Sequence, residues 1–431
     1  MATTTTVEST QKLTQNPWVV CLTCALFFLY EFIQMNMFNS ISPEMIKTFK
    51  VNASELGNFS AMYLYATTIF VFFVGATLDR FSVRKLVLAA MASCVIFTTL
   101  FAISTSLVMA EVFRFLSGIS GAYCFLSCIV LASRWFPAKQ LALATGLIVT
   151  MAMIGGTLAQ TPLTMLVASV GWRHAILLDS ILGAVFLLAM YFVVSDYPAS
   201  HVHKTKTKTQ RSFLGSIYHA ISGPQNWLCG TYTSLMNLMI LVMGATWGNA
   251  YLEGVHHLSR TEASIATMMI YIGTIIGSPA VGWYSDKIGK RRRPMIEGAI
   301  AALFLSMLLI LTPNLSTTAV SIILFALGFV TSTQIISYPV IFESNPKDVT
   351  GSCESLASFV ILGGGALFQY VYGVLLDNHW QGQIINGVRS YSSADHVYAF
   401  YMIPIAIVIS LVLALLIKET NCEPYSSNKN D

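Results

Sequence analysis

Gly75-Ala-Thr-Leu-Asp79-Arg80-Phe-Ser-Val-Arg84-Lys85 and Gly282-Trp-Tyr-Ser-Asp286-Lys287-Ile-Gly289-Lys290-Arg291-Arg292 carry the same pattern twice, 207 residues apart. Each follows an apolar run and sets a glycine, an acid and a cluster of bases at fixed steps. Two further echoes share nearly the same offset. Gly155-Gly156-Thr-Leu-Ala-Gln160 recurs as Gly364-Gly365-Ala-Leu-Phe-Gln369, and Gly118 and Pro137 recur as Gly328 and Pro346. Three echoes at one spacing predict two parallel repeats, each covering about half the chain.

The composition says what those repeats are made of. Of 431 residues, 55% are hydrophobic and only 10% are charged, and the mean hydropathy is +0.67. Soluble domains hold roughly 25% charged residues, and no water-soluble surface could hide this much apolar side chain. A soluble enzyme, a nucleic-acid binder and a disordered chain are excluded. A helix needs about 20 apolar residues to cross a bilayer. Runs of that length lie near 17–40, 56–78, 86–105, 107–133, 140–168, 174–196, 226–252, 262–285, 294–312, 317–343, 349–376 and 395–417. They are continuously apolar, without the period-two alternation of barrel strands, so the expected fold class is an all-α membrane protein with twelve spans.

An even number of spans puts both termini on one side. Lys and Arg accumulate in cytoplasmic loops, and 18 of the 24 fall on the side of the termini against 5 on the other. Both termini are therefore expected in the cytoplasm. The widest loop on that side, at about 197–225, contains the basic run His201–Arg211 (HVHKTKTKTQR) and reads as a linker. It divides an N-terminal half, 1–196, from a C-terminal half and tail, 226–431. His201 and His203 have no third ligand, so no metal is expected there.

The doubled loop, the twelve spans and the central linker resemble the major facilitator superfamily over essentially the whole chain. Arg114-Phe-Leu-Ser-Gly118-Ile-Ser-Gly121 is similar to that family's intramembrane arginine followed by glycines, and Gly171-Trp172-Arg173 and Trp135-Phe136-Pro137 also fit it. Tyr30-Glu31-Phe32 and Glu55-Leu-Gly-Asn-Phe-Ser60 resemble the bacterial phagosomal-transporter branch and the lysosomal dipeptide carriers. The resemblance implies a pseudo-symmetric pair of six-helix halves that alternate access to a central site. It further implies that the loops gate this motion through Gly75, Asp79, Arg80, Arg84 and Lys85 in one copy and Gly282, Asp286, Lys287, Gly289 and Arg291 in the other. Asp79 and Asp286 would latch the halves; for Arg84, Lys85 and Arg291 to Arg293 a purely topogenic role stands beside that reading. Ser82 replaces Gly289 in the first copy, which predicts a less tight turn.

Ionised side chains are costly at membrane depth and so are rarely idle there. Glu31 and Arg114 fall at matching depth, about 9 and about 10 Å from the surface opposite the termini. Glu111 lies one turn before Arg114 and can pair with it along the helix. Burial and a neighbouring arginine pull a carboxyl's proton affinity in opposite directions. Glu31, Arg114 and Glu111 are accordingly the proton-coupling candidates, with a permanent structural salt bridge as the alternative. Asp179, about 7 Å into its span, is expected at the interface. Leu324 stands where Arg114 would map in the second repeat, so the coupling chemistry is expected in the first half alone.

Candidate substrate-binding residues are Tyr30, Gln34, Arg114, Gln160, Asn237, Tyr271, Gln334 and Gln369, neutral hydrogen-bonding groups grouped around one carboxylate-binding arginine. The cysteines lie in apolar surroundings and read as packing residues, with no evident disulfide. No phosphate-binding loop, metal cluster or nucleophilic triad appears, so neither a cofactor nor enzymatic activity is expected. The expected function is proton-coupled import of a small polar nutrient such as an amino acid, short peptide or nucleoside-like solute. A proton-driven exporter of drugs or siderophores, and a non-transporting receptor on the same fold, are the alternatives. The fifth span lacks the antiporter pattern, which favours uptake. The expected partners are substrate, protons and lipid, not nucleic acid, with the chain a monomer. Short loops suit a bacterial inner membrane, although Asn52-Ala-Ser54 and Asn314-Leu-Ser316 would be glycosylation acceptors in a eukaryote.

Overall fold

The computed structural model describes residues 16–136, 138–198, 213–346, 349–385, 387–423 and 425. Lys12, Pro137, Lys347 and the run His201–Arg211 lie outside the described residues, as do the surroundings of Gly75 and the side chains of Asp79, Arg80 and Lys139. Among the described residues, twelve helices are long and apolar enough to cross a membrane. They are α1 (Pro17–Asn36, continued by Phe38–Phe49), α2 (Ala53–Arg80), α3 (Val83–Ala102), α4 (Leu107–Gly121 and Cys124–Trp135), α5 (Ala138–Leu158 and Thr161–Val170) and α6 (Trp172–Val193). The others are α7 (Pro224–His256), α8 (Arg260–Ile288), α9 (Arg292–Leu311), α10 (Thr317–Ser344), α11 (Thr350–His379) and α12 (Ser393–Leu416). A short helix, Phe213–Ser222, precedes α7. A two-residue hairpin, β1 (Ile384–Ile385) against β2 (Val388–Arg389), sits between α11 and α12.

The repeat is written into the helix ends. α2 starts on a capping box in which Asn52 and Glu55 exchange side-chain and backbone bonds, and α8 starts on Ser259 and Glu262 in the same way. These pairs stand 207 residues apart, the offset of the loop motif. At the other end the copies diverge. Gly289 takes a left-handed φ of 62° and caps α8, whereas Ser82 stays extended and caps the start of α3 by accepting Lys85 N–H. The first turn is a different construction.

Helix crossings repeat as well. The Thr67 hydroxyl bonds the carbonyls of Tyr63 and Gly118, both at 2.9 Å, and Thr274 does the same to Ile270 and Gly328 at 2.9 and 3.3 Å. A Cβ on Gly118 would fall on the Tyr63 carbonyl, and one on Gly328 on that of Ile270. The glycines let α4 ride on the backbone of α2, and α10 on that of α8. Gly118→Ala and Gly328→Ala should each destabilise by about 1–3 kcal/mol through overpacking. Gly351→Ala, with open space at its Cβ, should not. Thermal melting in detergent checks the contrast.

Between the halves, α2 packs along α11, with Gly57 against Gln369 and Gly373 against Ala53, and the rings of Phe72 and Phe359 meet at 5.3 Å. α5 packs against α8, where Tyr271 occupies the space left by Gly156. Several helices break midway. α1 is interrupted at Met37, α4 at Ala122 and Tyr123, and α10 passes through a tight 3₁₀ turn at Ser332–Ile336. α7 widens into π-helix over Met239–Trp247. Such irregular backbone is tolerated at membrane depth only where protein or a cavity satisfies it.

Candidate functional site

The ionisable candidates fall into one buried cluster inside the first half. Arg114 on α4 reaches α1 just before its interruption at Met37, where carbonyls leave the helical ladder, and donates to the Gln34 carbonyl at 3.0 Å. Its guanidinium lies between the rings of Phe38 and Tyr63, 5.0 and 4.9 Å from their centroids. Nε and Nη2 have no partner among the described residues. Glu31 is also buried, accepts from the Tyr63 hydroxyl at 3.3 Å and is faced by the Cys124 thiol, while its Oε2 has no N–H or O–H donor among the described residues. Tyr63 therefore stands between acid and base. Gly121 gives it room, since a Cβ there would meet both the Tyr63 hydroxyl and the Glu31 side chain.

Two expectations about these charges are corrected. Arg114 makes no ion pair with Glu31 or Glu111; Glu111 is only half-buried on α4 and turns to Asn58 on α2. Spacing along one helix allowed that pairing, but the guanidinium is drawn across to the broken end of α1 instead. Asp179 is not interfacial. α6 begins at Trp172, two residues before the span assigned from sequence, which deepens Asp179 to about 10 Å, level with Arg114. It is buried, and its Oδ2 accepts from Gln34 Nε2 at 2.5 Å while Thr98 donates to Gln34 Oε1 at 3.0 Å. The Tyr30 hydroxyl is buried beside Asp179 and Thr98. Gln34 thus joins α4 through its carbonyl to α3 and α6 through its amide. Tyr63, Asp179 and Thr98 are the residues missed from sequence. A depth count from the true helix start would have found Asp179; nothing in the sequence marked the other two.

The neutral candidates do different work. Gln160 donates to the Gly244 carbonyl at 2.9 Å and Gln369 to that of Leu241 at 2.6 Å. Both capture carbonyls of the π-helical stretch of α7. Tyr271 donates to Asn36 Oδ1 at 2.6 Å across the halves. Asn39 and Asn249, 210 residues apart, form a reciprocal pair. Asn39 Oδ1 accepts Asn249 N–H at 2.9 Å, the Asn39 carbonyl accepts Asn249 Nδ2 at 3.0 Å, and Asn39 Nδ2 reaches Gln160 at 2.6 Å. Nearer the surface, Arg260 holds both oxygens of Glu44, at 2.6 and 2.7 Å, and the Ser40 carbonyl, while Asp377 caps α2 through Ser54 N–H at 2.8 Å. The contacts of Gln160, Tyr271, Asn39, Arg260 and Asp377 cross between the halves toward the surface opposite the termini, so that side is closed. Gln160 and Tyr271 are engaged in closing it, whereas Gln369 bonds within the second half and leaves its Oε1 without a partner among the described residues. Asn237 and Gln334 bond each other at 2.9 Å within the second half.

At the termini's side the loop motifs hold their own halves. Asp196, after α6, accepts Ser82 Oγ at 2.5 Å and Arg84 N–H at 3.1 Å and pairs with Arg134 at 3.4 Å. Arg84 also donates to the Tyr191 carbonyl, and Lys85 contributes its backbone N–H to Ser82. In the second half Glu419, after α12, takes the N–H groups of Arg291 and Arg292 at 2.8 and 3.0 Å. Arg291 pairs with Asp286 at 2.6 Å and Glu343 at 2.7 Å, and Lys287 lies over the Trp283 ring. Gly282 has open space around it. Asp286 is engaged within its own half here, not across to the other. Burial works against the Glu419 carboxylate, but the backbone N–H groups of Arg291, Asn421, Arg292 and Thr420 hold it below the usual carboxylate range. A depressed carboxyl stabilises the fold above its unfolded value and loses that contribution as pH falls through the folded one. Glu419→Ala should therefore cost about 1 kcal/mol, the worth of a cap, at pH 7. The difference from the unsubstituted protein should begin to shrink as pH falls below about 4.3, the ordinary glutamate value, as melting curves across pH would reveal.

The cysteines other than Cys422 are buried, and all eight are free thiols. Cys24 and Cys128 touch across α1 and α4 at 3.7 Å.

Comparison with known proteins places this geometry. The chain is 24% identical over 358 residues to a gentisate transporter of Corynebacterium glutamicum, covering 81% of this chain and 79% of that one. It is 23% identical over 338 residues to a hexuronate transporter of Bacillus subtilis, covering 76% and 80%. Among solved structures, a bacterial homologue of the human lysosomal transporter Spinster, inward-facing and occupied, superposes with a TM-score of 0.73 at 16% identity, covering 92% of this chain and 96% of that one. The sequence model of the Major Facilitator Superfamily matches residues 23–369. With twelve membrane-crossing helices arranged as two echoing sets of six, this chain belongs to the major facilitator superfamily of membrane transporters.

Proposed function

We propose that the chain is a proton-coupled importer of a small polar nutrient bearing a carboxylate, such as an amino acid, a short peptide or a related organic acid. The observation that carries this reading is Arg114, a buried cation with one hydrogen bond, two unpartnered nitrogens and an acid one tyrosine away. A guanidinium in that condition is a strong receptor for a carboxylate, which would supply the paired N–H···O bonds the protein withholds. Gentisate and hexuronate, named for two relatives, are both small carboxylates and support the same class. Protonation of Glu31 offsets the charge the solute brings, which ties solute entry to proton entry. The chain acts as a monomer whose halves, 1–196 and 226–431, rock about residues 197–225, with Asp79 and Asp286 gating from the loops. Both termini face the cytoplasm of a bacterial inner membrane, following the bias of Lys and Arg.

A thermal-shift screen of small carboxylates against purified protein selects ligands, because anything that binds the native state stabilises it. Uptake of the hits into proteoliposomes, with and without an imposed pH gradient, then tests the mechanism. Solute accumulation with proton entry is expected. Accumulation driven by the reverse exchange would indicate an exporter, and binding without flux a receptor; either result overturns the proposal.

A further inference from the structure

One permanent cation and two acids share the interior of the first half, and neither acid touches the cation. Tyr63 separates Arg114 from Glu31, and Gln34 separates it from Asp179. Asp179 is faced by Tyr30 and Gln34 of α1 and by Cys94 and Thr98 of α3. The Thr161–Val170 segment of α5, which also packs on α6, brings no titratable side chain. Arg114 is the cation that faces Glu31, and Gln34 ties Asp179 to it. Charges at this depth are tolerated only close to balance. With both acids ionised the cluster carries one excess negative charge; with one protonated it is neutral.

We propose that Asp179 and Glu31 form a shared proton site, in which the pair holds one proton while the solute site is empty and either acid can hold it. The proposal rests on the reading of Arg114 given above. When a solute carboxylate takes the free N–H groups of Arg114, its negative charge replaces that of the ionised acid. That acid then takes a proton from water to form an O–H bond, and the same proton returns to water on the opposite side when the solute leaves. The surroundings suit either partner as the proton holder. Gln34 Nε2 donates to Asp179 Oδ2 whether or not the other oxygen is protonated, and the Tyr30 hydroxyl beside it can donate or accept. Around Glu31, which Tyr63 of α2, Cys94 of α3 and Arg114 and Cys124 of α4 face, Oε2 can carry the proton while Oε1 keeps the Tyr63 bond.

The test needs no solute. Infrared difference spectra of the purified protein at neutral pH read the carbonyl stretch of protonated carboxyl groups, comparing the unsubstituted protein with Glu31→Gln, Asp179→Asn and the double variant. A shared proton is non-additive. In either single variant the remaining acid ionises to balance Arg114, so each should lose the whole band and the double should lose no more. Arg114→Gln should do the opposite and raise the band roughly twofold, since without the cation both acids keep protons; this arm remains decisive if an acid variant fails to fold. The proposal is overturned if the two single variants each remove a separate band, or if Asp179→Asn leaves the band untouched while Glu31→Gln removes it. It is equally overturned if Arg114→Gln leaves the band unchanged. A carrier that shows the shared band but no proton-driven uptake would sink the import reading and leave the proton site standing; the converse result would do the reverse.

Discussion

Replacing Arg114 with glutamine is expected to reduce uptake at low solute concentration by about 30-fold to 1000-fold or more, the range set by the loss of one partner from a buried charge pair. The thermal shift produced by solute should disappear with it. Stability should move the other way. In the empty protein Arg114 makes one hydrogen bond, to the Gln34 carbonyl, and leaves Nε and Nη2 unpartnered. A buried charge so poorly satisfied stabilises little, and its replacement by a neutral group of similar length is often neutral or favourable. Arg114→Gln should therefore melt at the same temperature as the unsubstituted protein or slightly above it. Arg114→Lys should not rescue uptake, because a point charge cannot reproduce the planar, two-pronged contact. Transport kinetics and melting curves on the same preparations check both halves. A variant that lost stability along with transport would recast Arg114 as a structural group.

What the sequence made legible follows from how each signal is encoded. Spans are written in composition, so all twelve could be placed within a few residues. The repeat is written in identities such as Asp79 and Asp286, and the capping boxes at Asn52 and Ser259 and the threonine locks at Thr67 and Thr274 show that it extends to helix starts and crossings. Charged residues at depth are few, and Glu31 and Arg114 stood out for that reason. Their partners did not, because a tyrosine or threonine in an apolar run is unremarkable until the neighbouring helix is in place. Tyr63 and Thr98 are of this kind. Asp179 was misplaced by two residues of helix start, enough to turn a buried acid into an interfacial one. Tyr271 was recognised as a cavity-lining phenol and Gln160 and Gln369 as a symmetric pair nearer the outside, but sequence could not say that in this conformation Gln160 and Tyr271 bond across the halves while Gln369 bonds within its own. That depends on the free carbonyls of a π-helix in α7, whose register no local signal announces.

The gate itself supplies the second large effect. Closure opposite the termini depends on two kinds of contact, and their settings rank them. The Arg260 to Glu44 pair is partly exposed on both sides, and ion pairs in such positions contribute about 1 kcal/mol or less. Asn39 and Asn249 are buried, and Asn39 alone engages Gln160 and both the backbone and side chain of Asn249. Thr267 adds a further bond to Asn249 at 3.0 Å. Truncating such a residue leaves buried partners unsatisfied at about 1–3 kcal/mol each. When the halves separate, the same groups meet water and the penalty is relieved. Asn39→Ala should therefore shift the equilibrium toward the state open opposite the termini by roughly 10-fold to 100-fold, whereas Glu44→Gln should shift it by less than about 5-fold. Spin labels at the exposed loop positions Lys50 and His257, one in each half, would report the change as a longer distance population. Uptake should fall in parallel, because a carrier held open on one side completes fewer cycles however well it binds. If Asn39→Ala left the distance distribution unchanged while Glu44→Gln lengthened it, the closed state would be held by its rim charges, and the paired asparagines would be passengers on the axis between the two repeats.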